Sequence, residues 1–218
     1  MSARDNILAR IRKAQGRDGS QPAAGELASV RAAIELRSRG PVPANALRMD
    51  LLERFRTECA RVGTTLAEVA DTARVPAEVA RYLQAVGQPA GVVGWPELAG
   101  LDWAAAGVAF EARAAGADDR VGVTGCFCAV AETGTVLLLG SAATPKRTAL
   151  LPETHVCVVS RARLVATMED AYALLRAERG ELPRSTWFVS GPSRTADIEQ
   201  TIVIGAHGPY RAHAILVP

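Results

Sequence analysis

A chain of 218 residues with 49% hydrophobic and 22% charged side chains can bury a sizeable core, which excludes intrinsic disorder. With 25 Lys and Arg against 23 Asp and Glu, the net charge of +2 gives no electrostatic footprint for nucleic acid. The charge is uneven, however: residues 1–62 hold 12 basic and 7 acidic side chains, an excess that suits an acidic partner or a solvated face. No apolar run approaches the roughly 18 residues of a membrane span, and no signal-peptide pattern opens the chain, so a cytoplasmic protein is expected. Cys59, Cys126, Cys128 and Cys157 do not read as a secreted disulfide framework, and reduced thiols are expected. Cys126 and Cys128 share one face of a strand as small core residues. Neither a second Cys pair nor a His pair completes a zinc site, and no clustered run suits an iron–sulfur cluster. The chain is therefore expected to carry no metal or cofactor of its own.

In chain order, Ser2 and Asp5 form a capping arrangement for a short helix with Ile7, Leu8 and Ile11 on one face and Arg4, Arg10, Arg12 and Lys13 on the other. Residues 16–25 read as a linker, and residues 26–40 as a helix stopping at Gly40 and Pro41. Residues 1–40 thus form a helical arm, suited to association with a partner or a second copy, ahead of a main domain over 41–218. Leu47, Leu51, Phe55, Cys59 and Val62 repeat at helical spacing from Asn45, with Gly63 as the stop. A helix over 76–87 has Pro76 in its first turn, and residues 89–95 read as a strand. Residues 121–139 are apolar on both sides of Glu132-Thr133-Gly134, which predicts two buried strands around a turn. Residues 155–160, 186–191 and 213–217 add strands, and 168–180 adds a helix. Strands that are apolar throughout, interleaved with helices, predict a three-layer α/β (αβα) domain with a mostly parallel sheet.

Chemistry can sit in three places. Gly191-Pro192-Ser193-Arg194-Thr195-Ala196-Asp197-Ile198-Glu199 follows a strand and precedes an expected helical turn. Its backbone N–H groups, hydroxyls and guanidinium form either a cradle for a phosphate or carboxylate, or a capped turn. His207, between Gly205 and Gly208, lies on backbone that a ligand can approach, and suits proton transfer or a turn hydrogen bond. Glu132 lies between apolar strands and needs a partner there, as a catalytic base or nucleophile or as a structural carboxylate. Lys146 and Arg147 either add positive charge to the cleft or face water. His155 and His213 open strands and read as structural.

In their order A-E-T-G-T, G-P-S-R-T-A-D-I-E and G-A-H-G-P, these motifs resemble the LUD domain family. The likeness extends to Leu150-Leu151-Pro152, the strand HVCVVS and the first helix, and is strongest from about residue 120 onward. The resemblance implies a NagB/RpiA/CoA-transferase-like fold, related also to 5-formyltetrahydrofolate cyclo-ligase. It implies a place in a three-protein bacterial system oxidising L-lactate to pyruvate, with the iron–sulfur clusters in LutA-like and LutB-like partners. Under that reading Ser193, Arg194 and Thr195, with Thr133, Gly134, Gly191, Asp197 and Gly208, bind a small anion while His207 orients it or exchanges a proton. A second reading is a stand-alone enzyme on a CoA, folate or phosphorylated ligand, in which Glu132 is the key residue, and a third is a purely structural subunit with a vestigial pocket.

Overall fold

The structure is a computed structural model that describes residues 2–17, 22–41, 50–197 and 199–218. It divides into two compact units, Met1–Pro41 and Val42–Pro218. In the first, α1 (Ala3–Ala14) opens with the expected capping box: Asp5 N–H donates to Ser2 Oγ, and Ser2 N–H donates to the Asp5 carboxylate. Helix α2 spans Ala24–Leu36, starting two residues before the pattern suggested and ending at Arg37, whose φ of 46° leaves the helical region. Residues 18–21 of the expected linker lie outside the described residues. Neither helix buries a residue.

The second unit opens with α3 (Leu51–Val62), capped by Asp50, whose carboxylate accepts from Leu52 and Glu53 N–H. The earlier start expected at Asn45, with Leu47, lies outside the described residues. The next elements are β1 (Thr64–Glu68), α4 (Val75–Ala85), β2 (Gly91–Gly94), β3 (Ala109–Ala112), β4 (Val121–Thr124), β5 (Cys128–Val130), β6 (Thr135–Leu139) and α5 (Arg147–Leu150). After them come β7 (Thr154–Ser160), β8 (Leu164–Val165), α6 (Met168–Arg179), β9 (Thr186–Val189), β10 (Arg194–Thr195), β11 (Val203–Ile204) and β12 (Arg211–Val217).

Six strands form a wholly parallel sheet in the order β1-β12-β7-β4-β2-β3. Period-two alternation assigns its faces. Val156 and Val158 of β7, Ile215 and Val217 of β12, and Val121 and Val123 of β4 pack with Val75, Val79 and Leu83 of α4. The alternate residues Cys157, Val159, Ala214 and Leu216 pack with Phe55 and Cys59 of α3 and with Ala129, Val136 and Leu138. The mostly parallel sheet between helices is thus the α/β architecture that the apolar strand runs imply.

Residues 121–139 differ from the expected pair of strands. They form three, because the chain leaves the main sheet after Thr124, and β5 and β6 pair antiparallel at the centre of a second sheet, β8-β5-β6-β9. That sheet puts one face against the main core and the other, with Cys128, Val130 and Leu137, against Ala171 and Leu175 of α6. Apolar runs buried on both faces look alike whether they belong to one sheet or two. Among the described residues no helix is long and apolar enough to cross a membrane.

Two histidines are built into this core at strand starts. His155 Nε2 lies 2.8 Å from Thr124 Oγ1, and His213 Nδ1 lies 2.8 Å from Thr65 Oγ1, with its ring stacked on Tyr82 at 3.9 Å. Burial pushes both imidazoles down to about 4 from the ordinary 6.5, while the Glu78 carboxylate opposes the shift at His213. Between those two values the unfolded chain holds the extra protons, so stability is complete above pH 6.5 and declines as pH falls toward 4. His155 alone should contribute about 3 kcal/mol to that decline. Urea denaturation across this window is expected to show a shallower pH slope in His155→Gln than in the parent. An equal slope would remove His155 as the titrating group.

Candidate functional site

After β9 the chain passes through Ser190, Gly191, Pro192 and Ser193 into β10, which pairs antiparallel with β11, Arg194 opposite Ile204 and Thr195 opposite Val203. A hairpin therefore stands where a helical turn was expected. Thr195 Oγ1 does accept from Asp197 N–H at 3.2 Å, the first step of a cap. Glu199 and Gln200 then adopt φ values of 52° and 57°, which turn the chain back. Ser193 ties the hairpin base to the Gly-His-Gly segment: its N–H donates to Pro209 O, its carbonyl accepts from Gly205 N–H, and its Oγ accepts from His207 N–H at 3.3 Å. His207 Nε2 lies 3.6 Å from Asp197 Oδ2, with both side chains largely exposed. Arg194 Nη2 donates to Val62 O at 3.1 Å, which sets a positive charge on the C-terminus of α3.

The Glu132-Thr133-Gly134 turn joins the same region. Thr133 Oγ1 and Thr135 Oγ1 are 2.7 Å apart, and Thr135 Oγ1 is 2.6 Å from Ser190 Oγ, a hydroxyl chain from the turn to the strand exit. Gly134 has a φ of 60°, and a Cβ there would come within 2.6 Å of Cys59 N, so only glycine lets the turn lie on α3. Gly191 rests on Val62 O, and Gly208 on Ser193. The structure thus gathers Thr133, Gly134, Gly191, Ser193, Arg194, Thr195, Asp197, His207 and Gly208 around the second half of α3 and the hairpin. Val62 precedes β1 and Pro209 precedes β12, so this is the amino edge of the parallel sheet. The Glu132 carboxylate is turned to α6, where its Oε1 accepts from Met168 N–H at 2.9 Å beside the Thr167–Asp170 capping box. Lys146 lies over the Trp187 ring, 4.3 Å from its centroid.

The opposite edge holds a cleft of about 520 Å³ that the sequence reading did not find. Trp95 and Glu97 follow β2, Cys126 and Phe127 follow β4, and Arg163 and Arg179 complete its wall. The available signal was positional, since ligands in open parallel sheets bind at the carboxyl ends of strands. Cys126 Sγ and Cys157 Sγ lie together beneath it, and each donates toward Val158 O. Hydrogen bonding to Cys157, followed by burial, pushes the Cys126 thiol well up, and burial pushes Cys59 and Cys128 to about 12. These are thiols rather than thiolates. Among the described residues no group of three His, Cys, Asp or Glu side chains is placed to hold a metal ion.

The model of the LUD domain matches residues 52–217. The chain belongs to the LUD domain family. Lactate utilization protein C of Deinococcus radiodurans is 33% identical over 181 residues, which cover 81% of this chain and 84% of that protein. Lactate utilization protein C of Shouchella clausii is 40% identical over 99 residues, 44% of this chain and 43% of that protein. The chain spans about half the length of several of the curated relatives it matches. A solved DUF162 family protein of Deinococcus radiodurans shares the fold, with a TM-score of 0.56 and 24% identity over 82% of this chain and 100% of that one.

The Glu132 contact has a measurable consequence. Removing the carboxylate in Glu132→Ala leaves Met168 N–H unpaired at the positive end of α6, at a cost of about 1–2 kcal/mol. Glu132→Gln keeps an acceptor oxygen and should cost less than half as much. Equal losses in the two variants by chemical denaturation would show that α6 does not depend on this hydrogen bond.

Proposed function

We propose that this LUD-domain chain serves bacterial lactate utilization as a LutC-like subunit that binds a small anion at the hairpin. LutA-like and LutB-like partners carry the iron–sulfur clusters of L-lactate oxidation, and this chain carries none. The observation behind this reading is the relation to the Deinococcus radiodurans lactate utilization protein C, which extends over four-fifths of both chains. The geometry of the hairpin supports the anion part of this reading. Arg194 is held at the strand exit with one nitrogen on Val62 O, and a guanidinium has further N–H donors to give. Ser193, Thr195 and His207 stand beside it on one hairpin base. In this arrangement Arg194 pairs with carboxylate or phosphate, the hydroxyls donate hydrogen bonds, and His207 orients the ligand or exchanges its proton. The Glu132 carboxylate supports the site indirectly, through α6 and the turn it anchors.

Titration with L-lactate, pyruvate and inorganic phosphate tests the site. Arg194→Lys keeps the charge but loses the planar fork, so affinity for the anion that binds should fall roughly 5- to 150-fold while melting stays close to the parent. His207→Gln, which keeps a hydrogen-bonding side chain without an imidazole, should retain binding if His207 orients the ligand, and a loss comparable to that of Arg194→Lys would show that the imidazole itself is needed. Unaltered affinity with a large stability loss in Arg194→Lys would make the segment a structural turn. For the subunit role, lactate-dependent electron transfer by the partners should weaken when this chain is left out.

A further inference from the structure

We propose that the cleft at the carboxyl edge is a second ligand site, built for an organic cation: an ammonium or amidinium group on an apolar body, bound to Glu97. Its place follows from the fold, because Trp95 and Glu97 leave β2 while Cys126 and Phe127 leave β4, the adjacent parallel strand. Its volume of about 520 Å³ falls in the range of roughly 300–1,000 Å³ usual for small-molecule sites.

The ligand class follows from charge. Glu97, Glu178 and Glu181 line the cleft with Arg163 and Arg179. Arg163 is already committed: it pairs with both oxygens of Glu178, donates through Nε to Phe127 O at 2.8 Å, and lies over the Phe127 ring. That pair cancels, and Arg179 at the end of α6 and Glu181 two residues on carry one charge of each sign. Glu97 remains, and among the described residues no ion pair engages it. Its position is nonetheless built, because the carboxylate accepts from Gly125 N–H, and a Cβ at residue 125 would overlap its oxygen. Glu97 is exposed on the cleft wall, and partial desolvation raises its carboxyl above the ordinary value while Gly125 N–H opposes that shift. A ligand cation supplies the opposite charge, and Trp95, Phe127 and Leu139 give an apolar body its contact.

This site is separate from the hairpin, so the two can fail independently. Calorimetric titration of the full chain at constant ionic strength compares benzamidine with benzoate, which has the same ring and the opposite charge. Benzamidine is expected to bind one to one, and benzoate not measurably. Glu97→Gln keeps the acceptor for Gly125 N–H and should weaken benzamidine roughly 10- to 100-fold. Ser141→Trp, which fills the cleft from an exposed position on its lining, should abolish binding with Glu97 untouched. Arg194→Lys should leave benzamidine affinity unchanged. The proposal is overturned if the parent does not bind benzamidine, if benzoate binds as well, or if Ser141→Trp or a folded Glu97→Gln retains parental affinity. It is overturned equally if Arg194→Lys weakens benzamidine as much as Glu97→Gln does.

Discussion

Helix α3 is clamped between two sheets, and the motif-bearing loops take their positions from that clamp. Phe55 and Cys59 are buried against Cys157, Ala214 and Leu216 of the parallel sheet and against the second sheet. A buried aromatic of this kind is among the largest single contributions to a core, and truncating one typically costs about 3–5 kcal/mol. Because α3 is packed on both sides, it gives the backbone that leans on it a fixed support. Gly134 presses on its third turn, Gly191 meets its last carbonyl region, and Arg194 closes its C-terminus. Segments about 60 residues apart in sequence are thereby brought to one place by a helix that supplies none of their chemistry.

The sequence shows most clearly those elements whose local chemistry and burial agree. Helix α6 falls within the run read as a helix over 168–180, and Thr167 and Asp170 make its capping box. Strands β7 and β12 are buried at nearly every position because both faces are covered, which is why the apolar runs within them stand out. Strands β1 and β3 are the two edges of the sheet, with mostly part-buried or exposed residues, and carry no comparable signal. The hairpin is more instructive. Thr195 accepts from Asp197 N–H as a helix cap would, so the local reading of those residues describes a real contact. The path of the chain around that contact is decided by the pairing of β10 with Val203 and Ile204, a tertiary contact that no cap residue encodes.

The candidate ligand residues were legible as motifs because they are contiguous, whereas the cleft was not. Its wall is assembled from the exits of β2 and β4, the loop after β6, Arg163 after β7 and the end of α6, with only a few residues from each. No spacing in the chain relates Glu97 to Arg163 or Ser141. The cysteines show the same limit in reverse. Cys126 and Cys128 invite a paired reading, but β5 takes Cys128 to the α6 side of the second sheet, and the partner of Cys126 is Cys157 on β7.

The two edges of the sheet impose different chemistry on the residues placed there. At the amino edge the nearby helix end is the C-terminus of α3, whose carbonyl dipole favours a cation. Arg194 satisfies that end before any ligand arrives, so an anion bound there adds to a guanidinium that is already anchored and ordered. Anchoring lowers the entropy lost on binding, the advantage of a site prepared in advance. Glu132 faces the opposite circumstance. Its Oε1 accepts from the first N–H of α6, at the positive end of that helix. Using that oxygen in nucleophilic attack would leave Met168 N–H unpaired, at a cost of about 1–3 kcal/mol. The contact therefore favours an anchoring role for Glu132, whereas His207 stands exposed beside Ser193 and Asp197.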